Sequence, residues 1–315
     1  MAEVPLKEVD KAEILIIVDN SIDIFLASTE HAKRFPLPPD ALSRETLVAE
    51  HGFAALVRVT RANASESLLF DAGLSKNGLM HNMDVLEVRP NELHTIVLSH
   101  GHVDHTNGLM GMIARLGERR MPLLLHPDAF LDRKLLFPDG HEIHLPPPDR
   151  SVLSQEGIEF IEEQGPSYLL GGLVLVTGQI ERSTPFEQGF PVHNARLEGQ
   201  WRPDPFIHDD QAVVLHVRNK GLVVLTGCGH AGVINTIRHA QQLTGVQKVY
   251  AVIGGFHLTG TLFERIIPLT VAALKELSPA VIVPGHCTGW KATHDIAREL
   301  PEAFVPNSVG TRFVF

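Results

Sequence analysis

Five apolar runs in this sequence stop at a histidine, aspartate or cysteine: FDAG at Asp71, SHGHVDH at His100 to His105, GCGHAG at Cys228 and His230, GGFHL at His257, and PGHC at His286. Short runs rich in Val, Ile and Leu read as strands buried on both faces. Polar residues placed directly after such strands converge on one edge of a sheet, where a rigid scaffold holds groups for chemistry. Any fold that suits this chain must therefore bring the five endings together.

The rest of the sequence agrees with that constraint. Strands are expected near Ile14 and from Phe53, Ser67, His94, Leu173, Ala212, Leu222, Val249 and Val281. Helical spacing appears in NGLMGMIARLG, beginning near Asn107, in VINTIRHAQQL and in LFERIIPLTVAALKEL. This alternation predicts an α/β chain. With 315 residues, 44% of them apolar, it can bury a large core, and no linker divides it, so one domain over 1–315 is expected. The Pro-rich stretches near Pro36 and Pro146 mark loop insertions near 30–50 and 127–170.

His100, His102, Asp104 and His105 lie within six residues. Alternation puts the His100 and His102 imidazoles on one side of an extended segment, and Asp104 with His105 follows as the chain turns. Two adjacent cations can be ligated in that way. Isolated histidines such as His126 and His239 read as ordinary surface residues. Gly227, Gly229 and Gly232 spell GxGxxG between a strand and a helix, but no Asp or Glu occurs between Cys228 and Glu264. A ribose diol would have no acid to hold it, which argues against a dinucleotide cofactor. The helix expected from Ala231 would still point free amides at the site and could hold a substrate phosphate. No GxSxG elbow or P-loop is present.

Charge and cysteine content limit the partners. A net charge of -10 disfavours a broad nucleic-acid surface. Two cysteines, Cys228 and Cys287, exclude a disulfide framework and suit a reducing compartment. The acidic start of the sequence lacks the basic-then-apolar order of a signal peptide, and no run reaches the ~20 apolar residues of a membrane span. The expected setting is the cytoplasm, with a small-molecule substrate as the partner and neither nucleic acid nor membrane.

The pattern HxHxDH at His100 to His105, with FDAG before it and VVLTGC and VIVPGH after it, resembles the signature of the metallo-β-lactamase superfamily. The phrases TGQIERSTPFE, DDQAVVLHV, LTGCGHAGVINTI, VIGGFHL and PGHCTGWKA are similar to the subgroup of dihydropterin ribofuranosyl-aminobenzene 5'-phosphate synthases. The resemblance implies a four-layer αββα sandwich with a metal centre at the sheet edge. Carried over by residue, it implies His100 and His102 as ligands of a first metal, Asp104, His105 and His286 as ligands of a second, and Asp71 orienting a ligand. Where most members complete the first site with a histidine, this chain reads HDDQ, and it has Cys228 where a bridging aspartate is usual. His230 is the expected replacement, with Asp210 and Cys228 as alternatives and fewer bridging ligands than usual.

The implied activity is metal-dependent hydrolysis, in which two zinc ions, or manganese or iron in their place, generate a hydroxide that attacks an ester, lactone or phosphoester. Asp104 and His257 are the expected catalytic residues, the latter as proton donor to the leaving group or as an oxyanion contact. If the substrate resembles a pterin or arylamine ribose phosphate, Arg182, Lys291 or Arg312 would meet its phosphate. A di-iron oxidoreductase and a metal-stabilised binding protein are the rival readings. Zinc is favoured because His102 stands where oxygen-handling relatives tend to carry glutamate.

Overall fold

The computed structural model describes residues 6–40, 43–117 and 119–315. Two sheets face each other across the main core. In the first, the strand order is Ile158–Glu162, Met121–Leu125, Thr95–Val97, Ala64–Phe70, Ala54–Arg61, Lys11–Val18, Arg312–Val314 and Ala32–Lys33. In the second it is Ser167–Leu169, Val174–Val176, Ala212–Val217, Gly221–Thr226, Val249–Gly255 and Val281–Gly285, with Glu8–Val9 pairing alongside Ala212–Val217.

Period-two alternation fixes which side chains fill which layer. Ile14 and Ile16 point between the sheets, meeting Val213, Leu225, Ile253 and Val283 in one cluster. Leu15 and Ile17, their immediate neighbours, pack outward with Leu79, Met83 and Met112 from the helices Gly78–Val85 and Leu109–Ile113. On the far side, Val252 and Ile282 pack outward against Ile237, Leu274 and Ile296 from the helices Val233–Thr244, Ile267–Leu277 and Trp290–Glu299. Helices thus cover both outer faces, which gives the expected αββα sandwich. No helix among the described residues is long and apolar enough to cross a membrane.

Register then aligns the strand ends. Ala64–Phe70 and Thr95–Val97 are parallel with Phe70 opposite Val97, and Gly221–Thr226, Val249–Gly255 and Val281–Gly285 are parallel with Thr226 opposite Gly254 and Gly255 opposite Gly285. Parallel neighbours leave a sheet at the same edge, so the polar residues that follow them gather there.

Two expectations are corrected. The helix expected from Asn107 begins earlier, as one turn at Val103–Thr106, and resumes at Leu109–Ile113. Gly108 sits in the break, where a Cβ would lie 1.8 Å from the Ala72 carbonyl oxygen, so only glycine permits this approach. The segment 127–170, expected as loop, is largely ordered structure. Arg133–Leu136 and Glu142–Leu145 pair with His193–Leu197 and Gln200–Pro203 in a third, four-stranded sheet, and Ile158–Glu162 extends the first. In the segment 30–50 only Ala32–Lys33 is a strand, and positions 41 and 42 lie outside the described residues.

Candidate metal centre

The strand endings meet as two linked groups of ligand atoms. In the first, His230 Nε2 lies 3.2 Å from His100 Nε2 and 3.2 Å from His102 Nδ1. In the second, His286 Nε2 lies 3.1 Å from His105 Nε2 and 3.3 Å from Asp104 Oδ2. Cys228 Sγ sits 3.2 Å from His105 Nε2 and 3.3 Å from His286 Nε2. It also falls within 4.8 Å of the donor atoms of His100 and His230, so it stands between the groups. The sulfur thus lies beside both groups. Asp210 does not join them: it accepts the Ala231 amide at 2.7 Å and so holds the His230 turn in place.

These spacings suit a bound cation. Ligand nitrogens about 2.05 Å from a tetrahedral zinc ion stand about 3.3 Å apart. A neutral imidazole nitrogen either donates or accepts, so His230 Nε2 cannot make a full hydrogen bond to both His100 and His102, and hydrogen bonding alone does not account for the convergence. The electrostatics agree. Burial, with help from neighbouring imidazoles, holds His100, His102 and His230 well below the usual histidine range, so all three are neutral and free to ligate. Burial opposes ionisation of Asp104, but His105, His286 and His102 together outweigh it and keep the carboxylate charged. Burial pushes the Asp210 carboxyl up to about 7.

The candidate ligands are held by a buried outer set of groups. Asp71, in left-handed backbone at φ 61°, lies 2.6 Å from His105 Nδ1 and accepts from the amide and hydroxyl of Ser99, each at 2.7 Å. Its expected orienting role therefore has a direct contact. Asp19 accepts the His286 amide at 2.9 Å, and Asn20 Oδ1 lies 3.2 Å from His286 Nδ1. His193 Nε2 is 2.8 Å from His102 Nε2, the ring nitrogen turned away from His230. Asp209 accepts the Gly101 amide at 2.8 Å, between two ligands, and is clamped by Arg133 at 3.0 and 2.6 Å. His257, at φ 45°, lies with its ring tilted against that of His230, centroids 4.1 Å apart, and the exposed His51 reaches within 3.4 Å of Asp104.

Sequence reading missed Asp19, His51, Arg133, His193 and Asp209, whose partners are distant along the chain. The DD pair of HDDQ is the one local signal, and its first member, Asp209, carries the clamp.

The phosphate expectations are corrected. The helix Val233–Thr244 does not offer free amides, because Glu187 accepts from Ile234 and Asn235 at 3.0 and 2.8 Å and occupies its start. Arg182 is spent on the carbonyls of Glu187, Phe206, His230 and Ala231. Lys291 pairs with Glu264 at 2.8 Å on the surface. Arg312 lines a separate cleft with Arg34 and Arg44.

A profile of the metallo-beta-lactamase superfamily matches residues 49–239. A protein of Methanocaldococcus jannaschii named 7,8-dihydropterin-6-methyl-4-(beta-D-ribofuranosyl)-aminobenzene-5'-phosphate synthase is 31% identical over 262 residues, covering 81% of this chain and 87% of its own. Among solved structures, a metal-dependent hydrolase of the beta-lactamase superfamily superposes with a TM-score of 0.72 at 23% identity, covering 96% of this chain and 98% of that one. Unliganded yeast PDE1 superposes at 0.54 with 11% identity, covering 98% and 100%. At these identities the two structures speak for the fold alone.

Proposed function

The chain belongs to the metallo-beta-lactamase superfamily and is an enzyme of that fold, and from this premise we propose that it is a two-zinc hydrolase of an ester, lactone or phosphoester. The observation that carries the reading is the placement of His230 Nε2 at 3.2 Å from both His100 and His102, beside a second set of donors from Asp104, His105 and His286. His100, His102 and His230 would hold one ion, Asp104, His105 and His286 the other, and Cys228 would contact both. Bound zinc would supply Lewis acidity, lowering the pKa of a water toward 7 and drawing charge from the scissile group.

The protein's own groups do the rest. Asp71 fixes the His105 ring through Nδ1 and so aims Nε2 at the centre. Asp104 keeps its negative charge among three imidazoles and can hold a proton-bearing nucleophile in place. His257 stands beside His230 and lines the same cleft, where an imidazole can protonate a leaving group. Phe263 and exposed Arg265 line that cleft too, giving a flat apolar wall and a cation at its rim.

The test is hydrolysis of a generic phosphodiester, an aryl ester and a lactone by zinc-loaded protein, before and after chelation. Turnover of at least one that disappears on chelation and returns with zinc supports the reading; no turnover of any overturns it. The identity to the archaeal synthase favours a second reading, the joining of a pterin that carries a leaving group on its 6-methyl carbon to a ribosylated aminobenzene phosphate, with loss of that group and of one proton. Mass spectrometry of the two halves incubated with the protein separates them, since only that reading gives a condensed product.

A further inference from the structure

Beyond that centre, the chain carries another cluster of metal-type donors on its inner side. The ligand atoms of Cys228, His257 and Cys287 all lie within 4.8 Å of one another. Both cysteines are buried and neither is in a disulfide. The Cys287 thiol donates to the Cys228 carbonyl at 3.2 Å, which turns it inward toward the other sulfur. Among the described residues, the buried Nδ1 of His257 has no hydrogen-bond partner.

The backbone is built to allow this approach. The three residues follow three adjacent parallel strands, Gly221–Thr226, Val249–Gly255 and Val281–Gly285. Gly255 lies between the outer two endings, where a Cβ would come 2.7 Å from Cys287 Sγ and 3.1 Å from Cys228 Cα. Any other residue there would push the sulfur away. His257 and His286 both adopt left-handed backbone at φ 45°, a strained choice for residues with side chains.

We propose that Cys228, Cys287 and His257 form a second cation site, selective for a thiophilic ion such as Cu+ or Cd2+, which shares the Cys228 sulfur with the two-zinc centre. Two thiols and one imidazole with no oxygen ligand make a soft donor set, whereas the centre offers mainly imidazole and carboxylate. As the ion binds, the Cys287 thiol forms a sulfur–metal bond and releases its proton to solvent, while Cys228, already a thiolate where it contacts zinc, exchanges a zinc contact for the new ion, so one proton leaves per ion. No oxidant is required. Capture of the shared sulfur draws Cys228 from the centre, so the ion acts as an inhibitor.

The test is X-ray absorption at the cadmium edge on zinc-loaded protein given one equivalent of Cd2+, together with the near-ultraviolet thiolate-to-cadmium band. Two sulfur neighbours are expected in the wild type. Cys287→Ser and Cys287→Ala should each leave one sulfur neighbour and roughly half of the band. One sulfur or none in the wild type overturns the proposal, as does an undiminished band in a folded variant. Because the sulfur count is read on the wild type, a variant that fails to fold leaves the outcome decided. The signal depends on Cys287 and on no turnover, so a failure of the hydrolase reading would leave it standing and can be told apart from a failure here.

Discussion

Asp209→Asn should loosen the metal centre without touching a metal ligand. Asp209 is fully buried, accepts two guanidinium N–H groups of the equally buried Arg133 at 3.0 and 2.6 Å, and accepts the Gly101 amide at 2.8 Å. An asparagine keeps one acceptor oxygen and turns an NH2 group toward the guanidinium. Breaking a buried ion pair by removing one partner costs about 3–5 kcal/mol. Asp204 still accepts from Arg133 Nε at 3.1 Å, which favours the lower end. With an unfolding entropy of about 2.1 cal/mol/K per residue, a loss of about 3 kcal/mol lowers Tm by about 5 °C in a chain of 315 residues. Zinc affinity should fall about 10- to 100-fold, because the oxygen that anchors the amide between His100 and His102 loses its charge and its fixed place against Arg133. Replacing the pair by Arg133→Met with Asp209→Leu should recover most of the stability but not the affinity, because Gly101 N–H stays unanchored. Burial opposes the Asp209 charge and Arg133 overrules it, holding the carboxyl below its usual value. Its stabilisation is therefore present above the unfolded pKa of about 3.9 and fades as pH falls through the lower folded value. The wild type's advantage over Asp209→Asn should shrink in that acid range. Thermal unfolding of metal-free protein and zinc titration by competition with a chelating dye measure these effects. A Tm change below about 1 °C with unaltered zinc affinity would refute the reasoning.

Other substitutions separate the groups of the centre. His230→Ala should lose about one zinc per chain, while Cys228→Ser should weaken both sites, since its sulfur faces both groups; elemental analysis after dialysis reads the difference. Asp104→Asn should keep the fold by circular dichroism but lose most turnover, because an amide is a poorer ligand; near-normal activity at saturating zinc would contradict it. Glu187→Ala should cost about 1–2 kcal/mol by stripping the acceptor from the first turn of Val233–Thr244, seen as a Tm drop of about 2–3 °C.

The strands and the candidate ligands at their ends were legible because both signals are local. Ile14 to Ile17 show buried-on-both-faces alternation in four residues, and His100 to His105 carry their chemistry in six. What stayed hidden is held by distant partners. Arg133 and Asp209 are separated by 76 positions, and neither carries a mark of burial in its neighbourhood. Glu187 fills a helix start that begins 46 residues later, so the GxGxxG stretch reads as an open anion site when it is closed. The third sheet was missed because its strands are short and partly exposed, leaving Pro-rich flanks as the dominant signal. His193 belongs to that sheet, and its contact with His102 could not be read before the sheet was known.

The central claim is that one chain holds two ions at the ends of its parallel strands. Anomalous scattering at the zinc edge from crystals of zinc-loaded protein tests it most directly. The account predicts two peaks per chain, one about 2.0–2.1 Å from His100, His102 and His230, the other at similar distances from Asp104, His105 and His286, with Cys228 sulfur about 2.3 Å from at least one. A single peak, or peaks away from these residues, would contradict it.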